Sequence, residues 1–121
     1  MPNPFVHIEL NTSDHGRARE FYGRLFQWDL KDIDMGAHGT YTLIGVGEGT
    51  GGGMMKHPMP GAPSVWVPYV EVPDLAAATR KAKELGAKVM QENMPVQDMG
   101  SFSIISDPTG AVLGLWETKK K

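Results

Sequence analysis

Residues 39–44 read GTYTLI, and residues 100–105, 61 positions later, read GSFSII. Both run glycine, hydroxyl, aromatic, hydroxyl, aliphatic, isoleucine. Upstream, Asp14 and Asp74 each open a helical pattern, 60 positions apart. A shared offset across a helix start and a strand points to an internal duplication, which governs the reading of everything else.

Each copy carries the same order of signals. FVHIELNTS (5–13) alternates Val6, Ile8 and Leu10 with His7, Glu9 and Asn11, the period of a strand with one face buried. Ser13 then suits a helix N-cap, and Ala18, Phe21, Tyr22 and Leu25 recur at helical spacing. Gly36–Gly39 mark a turn, and TYTLIGV (40–46) and GGMMK (52–56) read as strands around a Gly-rich hairpin. The second copy starts with SVWVPYVEV (64–72). A helix follows from Asp74 with Leu75, Ala78, Ala82 and Leu85 on one face, and Gly86 stops it. AKVMQE, SFSIIS and VLGLWE complete it as strands, with DPTG (107–110) as the last turn. The plan is βαβββ twice: an α+β fold whose two repeats form a curved, mostly antiparallel sheet around a concave pocket, helices outside. One domain is expected over 1–121, with repeat one at about 4–56, a proline-rich linker HPMPGAP at 57–63, and repeat two at about 64–118.

Composition narrows the function classes. The chain has 121 residues, a formal net charge of −2 and no cysteine. Disulfides and thiolate metal sites are thereby excluded, and a cytoplasmic setting is expected. The charge offers nothing to nucleic acid or an anionic membrane. No apolar run approaches the roughly 20 residues of a membrane helix, and MPNPFVHIEL lacks a leader pattern. Lys119–Lys121 read as a solvated tail. The stretch GEGTGG (47–52) satisfies a dinucleotide-binding pattern, but a strand rather than a helix follows, so it is read as a hairpin loop. His15, His38 and His57 read as surface histidines, and Met54, Met55, Met59, Met94 and Met99 as core.

The duplicated unit, with FYGRLFQW (21–28), GGGMM (51–55) and DPTGAVLGLW (107–116), resembles the vicinal oxygen chelate superfamily of glyoxalases, bleomycin-resistance proteins and extradiol dioxygenases, in its metal-poor, single-module branch. The resemblance implies four inward-facing metal-ligand positions, which here read His7, Gly53, Val67 and Gly114. A catalytic zinc usually takes three protein ligands, so no metal or other cofactor is expected, a divalent metal being the alternative. Two glycines where relatives carry carboxylates would leave space beside the backbone. The inward faces then offer His7, Glu9, Asn11, Met55, Val67, Tyr69, Glu71 and Trp116 to a hydrophobic or aromatic small molecule. The alternative is a glyoxalase-like lyase or isomerase, or a dioxygenase-type enzyme. For that alternative, metal-free acid–base work by His7, Glu9 and Glu71 is favoured over metal-dependent chemistry. The resemblance also implies a homodimer.

Overall fold

The computed structural model describes residues 2–119, apart from the His38 side chain. The fold is α+β, with eight strands and two α-helices among the described residues. The first repeat holds β1 (Phe5–Thr12), α1 (His15–Leu25), β2 (Asp29–Asp34), a 3-10 turn (Gly36–His38), β3 (Thr40–Gly45) and β4 (Gly52–Lys56). The second holds β5 (Val65–Glu71), α2 (Leu75–Glu84), β6 (Lys88–Val96), β7 (Gly100–Ser106) and β8 (Val112–Thr118). By contacts the chain divides into two compact units, one of His7–Val67, the other of residues 2–6 with the stretch from Pro68 to Lys119.

Both units use one topology. In the first the strands run β2-β3-β4-β1, in the second β6-β7-β8-β5. The opening strand of each repeat pairs in parallel with its closing strand, and the other pairings are antiparallel. A helix covers one face of each sheet. Leu10, Ile44 and Met54 pack there with Ala18, Tyr22, Trp28, Leu30 and Val46; Val72, Leu75, Ile105 and Leu115 pack with Ala78, Ala82, Ala87, Val89 and Leu113. The opposite face of each sheet is left to the candidate site.

The helix ends follow their local chemistry. Asp14, not Ser13, caps α1: its backbone is extended and its carboxylate accepts from Arg17 N at 3.1 Å, as Asp74 does from Ala77 N at 3.1 Å. Ser13 N instead donates to Ser64 Oγ. At the end of α2, Gly86 takes φ +101°, and Ala87 N–H reaches Ala82 O while Gly86 N–H reaches Lys83 O. Helical spacing overstates the buried stripes, however. Phe21, Leu25 and Leu85 are 57%, 55% and 69% exposed, because each helix rests on a single sheet face and buries only the narrow line nearest to it.

Buried hydroxyls do part of that work, and they too obey the repeat. Thr42, fully buried, donates to Asp32 Oδ1 (2.7 Å) and so accepts from His15 Nε2 (2.8 Å); Arg19 Nε completes the set on Asp32 (2.9 Å). The Arg19 and Thr42 hydrogen bonds hold the Asp32 carboxyl below the usual range. His15 is thus a half-buried structural link rather than a surface histidine. Sixty-one positions on, buried Ser103 meets the Thr79 hydroxyl of α2 at 2.9 Å and accepts from Asn93 N. His57 is likewise half-buried, its Nδ1 accepting from Met59 N. Of the basic tail, Lys119 pairs with Asp98 at 3.2 Å, while Lys120 and Lys121 lie outside the described residues, as does the His38 side chain. Among the described residues no helix is long and apolar enough to cross a membrane.

Candidate functional site

On the face of the first sheet away from α1, strand alternation and register decide who meets whom. Glu9 stands opposite Gly53 and Asn11 opposite Met55 on neighbouring parallel strands. Leu43 of β3 faces Gly53 from the other side, which puts Tyr41, two residues earlier, on that same face. The Tyr41 ring lies on Gly53: a Cβ there would run into the phenol hydroxyl and the ring. The hydroxyl sits between two partners, 2.8 Å from His7 Nε2 and 2.9 Å from Glu9 Oε1. All three side chains are half-buried, and the His7 and Tyr41 rings are nearly parallel, with centroids 6.4 Å apart.

Proton bookkeeping orients this cluster. A phenol has one proton, and a carboxylate only accepts. Tyr41 therefore donates to Glu9, and its oxygen accepts from His7. That places the imidazole proton on Nε2 and the ring lone pair on Nδ1. Burial lowers the His7 pKa, because desolvation disfavours the charged ring and so favours the neutral imidazole.

The unfolded chain binds a proton at about the ordinary 6.5, the folded chain only below that. Between the two pKa values the unfolded state holds more protons. The His7 contribution is therefore complete above 6.5 and is lost as pH falls through the lowered folded value. Urea unfolding at pH 7.5 and 5.5 is expected to show a drop that is smaller in His7→Gln; equal drops in both proteins would contradict it.

The second sheet repeats the geometry with other side chains. Tyr69 stands opposite Gly114 and its ring lies on it, where a Cβ would enter the ring. Phe102 meets Tyr69 edge-on, centroids 6.1 Å apart at 83°. By repeat position, Glu9, Tyr41 and His7 correspond to Tyr69, Phe102 and Val67, so one half is polar where the other is apolar. Val67 is buried. Trp116 and Glu71 are opposed across β8 and β5 and joined through Thr118: Trp116 Nε1–H donates to its hydroxyl at 3.0 Å, and that hydroxyl donates to Glu71 Oε2 at 2.8 Å. Glu117 turns to the helix side and accepts from Leu75 N.

Two sequence expectations change here. The glycines do not leave space beside the backbone; each is the seat of a tyrosine ring. Tyr41, absent from the expected set, is the residue that joins His7 to Glu9. One signal was available: GTYTLI and GSFSII differ at their aromatic position by a hydroxyl, Tyr41 against Phe102. His7 and Glu9 do come together, through Tyr41, whereas the Glu71 carboxylate accepts from Thr118 and its backbone pairs with Asn3 and Pro4.

The fold family's metal can be tested on this donor set. Tyrosine rings fill the space over Gly53 and Gly114, Val67 offers no donor, and His7 is joined to the Tyr41 hydroxyl. Among the described residues no three His, Asp or Glu side chains are grouped to hold an ion. The residues at these positions do not fit a divalent metal centre.

Two βαβββ units with a parallel closure in each define a glyoxalase-type fold. The profile of the Glyoxalase/Bleomycin resistance protein/Dioxygenase superfamily matches residues 5–115, and the chain belongs to that superfamily. It is 34% identical over 120 residues to the glyoxylase candidate CFP32 of Mycobacterium tuberculosis, and 23% identical over 123 residues to the anthracycline biosynthesis protein DnrV of Streptomyces peucetius. These alignments take in 93% and 90% of this chain but 45% of each relative, so the chain spans about half their length. Among solved structures, hypothetical protein BH1468 of Bacillus halodurans is similar with a TM-score of 0.75 at 15% identity, covering 100% of this chain and 98% of that one. Methylmalonyl-CoA epimerase of Mycobacterium tuberculosis is similar with a TM-score of 0.70 at 17% identity, covering 96% and 88%. At such identities the structural likeness speaks for the fold.

Proposed function

We propose that this protein binds a small organic molecule without a divalent metal, and that the His7–Tyr41–Glu9 face of its first half supplies the polar recognition. The observation that carries the reading is the Tyr41 ring on Gly53, its hydroxyl held between an imidazole and a carboxylate. A fixed, half-buried set of one neutral imidazole, one phenol and one carboxylate suits a ligand that is mostly apolar and carries hydrogen-bond donors. Asn11 and Met55, one register step along the same face, extend it. The reading includes a cytoplasmic protein, which the lack of cysteine suits, acting as a homodimer.

One observation favours a second reading. A histidine held neutral and fixed in one tautomer is suited to accept a proton, which would make His7, linked to Glu9, a metal-free general base.

A thermal-shift screen of aromatic and amphipathic compounds tests both. A ligand present at about 100 times its Kd adds about 2.7 kcal/mol of stability, and Tyr41→Phe is expected to weaken it about tenfold by removing two hydrogen bonds. Turnover that disappears in His7→Ala while affinity survives would turn the binder into a catalyst. Binding that requires stoichiometric zinc, nickel, iron or manganese would overturn the proposal.

A further inference from the structure

The second half carries an arrangement that the first-half reading does not use. Glu71, Trp116 and Phe102 form one cross-strand row over β5, β8 and β7, on the face away from α2. Tyr69 lies in the next row and meets Phe102 edge-on. Two missing side chains make the floor possible. The Tyr69 ring occupies the space over Gly114, and the Trp116 ring crosses over Gly100, where a Cβ would come within 2.7 Å of Cζ2 and 3.1 Å of Cη2. Phe102, Trp116 and Glu71 are half-buried.

The hydrogen bonds then decide what this floor offers. The indole N–H of Trp116 is spent on Thr118, so its polar edge is committed and its π face is what remains for a ligand. Thr118 passes its own proton to Glu71 Oε2, which holds the carboxylate beside the indole. Among the described residues no lysine, arginine or histidine forms an ion pair with Glu71. An indole face attracts cations more strongly than other aromatic faces do. A strongly hydrated metal cation would have to shed water to reach it, while an alkylated ammonium carries its charge under methyl or methylene groups.

We propose that Trp116 and Glu71, backed by Phe102 and Tyr69, form a subsite for an organic ammonium group, protonated or quaternary. The indole face receives its alkyl surface, and the Thr118-held carboxylate balances its charge. This subsite stands on the second half alone and does not depend on the reading of His7, Tyr41 and Glu9.

The test uses choline as the probe and 3,3-dimethyl-1-butanol as its neutral equivalent of the same shape, followed by the three tryptophan indole N–H signals in NMR. Trp116→Phe identifies the Trp116 signal. Choline is expected to move that signal saturably with a Kd of about 1 mM, and the alcohol to bind at least about tenfold more weakly. Glu71→Gln is expected to weaken choline about five- to tenfold and leave the alcohol unchanged. Should Glu71→Gln fail to fold, raising sodium chloride on the unmodified protein tests the same charge, since screening should weaken choline alone. Equal binding of choline and the alcohol, no saturation, shifts confined to Trp28 and Trp66, or indifference to both Glu71→Gln and salt would each overturn the subsite.

Discussion

Gly114→Ala is expected to destabilise the protein by about 2–3 kcal/mol, the upper range for overpacking a well-filled site, and to lower its Tm by roughly 10 °C. The added methyl would fall inside the Tyr69 ring, meeting Cγ at 2.7 Å and the adjoining ring carbons closer still. Tyr69 is 5% exposed and packs edge-on against Phe102, so it cannot swing aside without giving up that burial. β8 cannot yield either, because it is paired on both sides, with β5 and with β7. The cause is separable by a second substitution. Tyr69→Ala alone is expected to cost about 3 kcal/mol through the cavity it leaves. In its presence Gly114→Ala should cost almost nothing, a coupling of about 2 kcal/mol between the two positions. Urea unfolding of the four proteins at 25 °C reads this directly. Strictly additive losses would mean that the ring is not seated on the glycine.

That dependence of a glycine on a ring from another strand shows where sequence reading stops. The common offset of GTYTLI and GSFSII was sufficient for the βαβββ plan, and the alternation of His7, Glu9 and Asn11 with Leu10 gave the faces of β1, since a period of two requires no knowledge of neighbours. Gly53 and Gly114 were recognisable as substitutions at the family's ligand positions. What fills them was not, because it depends on register: Tyr69 lies directly across from Gly114, but Tyr41 reaches Gly53 diagonally from the other side of β4. Alternation assigns a residue to a face without saying which neighbour its ring leans on. The same limit hid Thr42 and Ser103. A hydroxyl inside a strand reads as polar and solvent-facing, and only the arrival of Asp32 and His15, or of Thr79, makes its complete burial affordable.

Gly53→Ala should disturb more than packing. Its methyl would take the place of the Tyr41 hydroxyl, so the ring must move and both of its hydrogen bonds break. The His7 N–H and the Glu9 carboxylate then stay half-buried without the partner that joined them. An expected loss of about 3 kcal/mol combines overpacking with two groups left poorly satisfied. Tyr41→Phe, which removes the hydroxyl without the collision, should cost only about 1–2 kcal/mol. The two variants also part at His7. Displacing the ring admits water to the imidazole and relieves the desolvation that lowers its pKa, so in Gly53→Ala the value should climb toward 6.5. In Tyr41→Phe the ring remains and the pKa should stay lowered. Histidine NMR titration follows the pKa and the Nε2–H tautomer together. A Gly53→Ala protein that keeps both the tautomer and the lowered pKa would show that Tyr41 does not organise the cluster, and the metal-free polar site proposed for this half would lose its foundation.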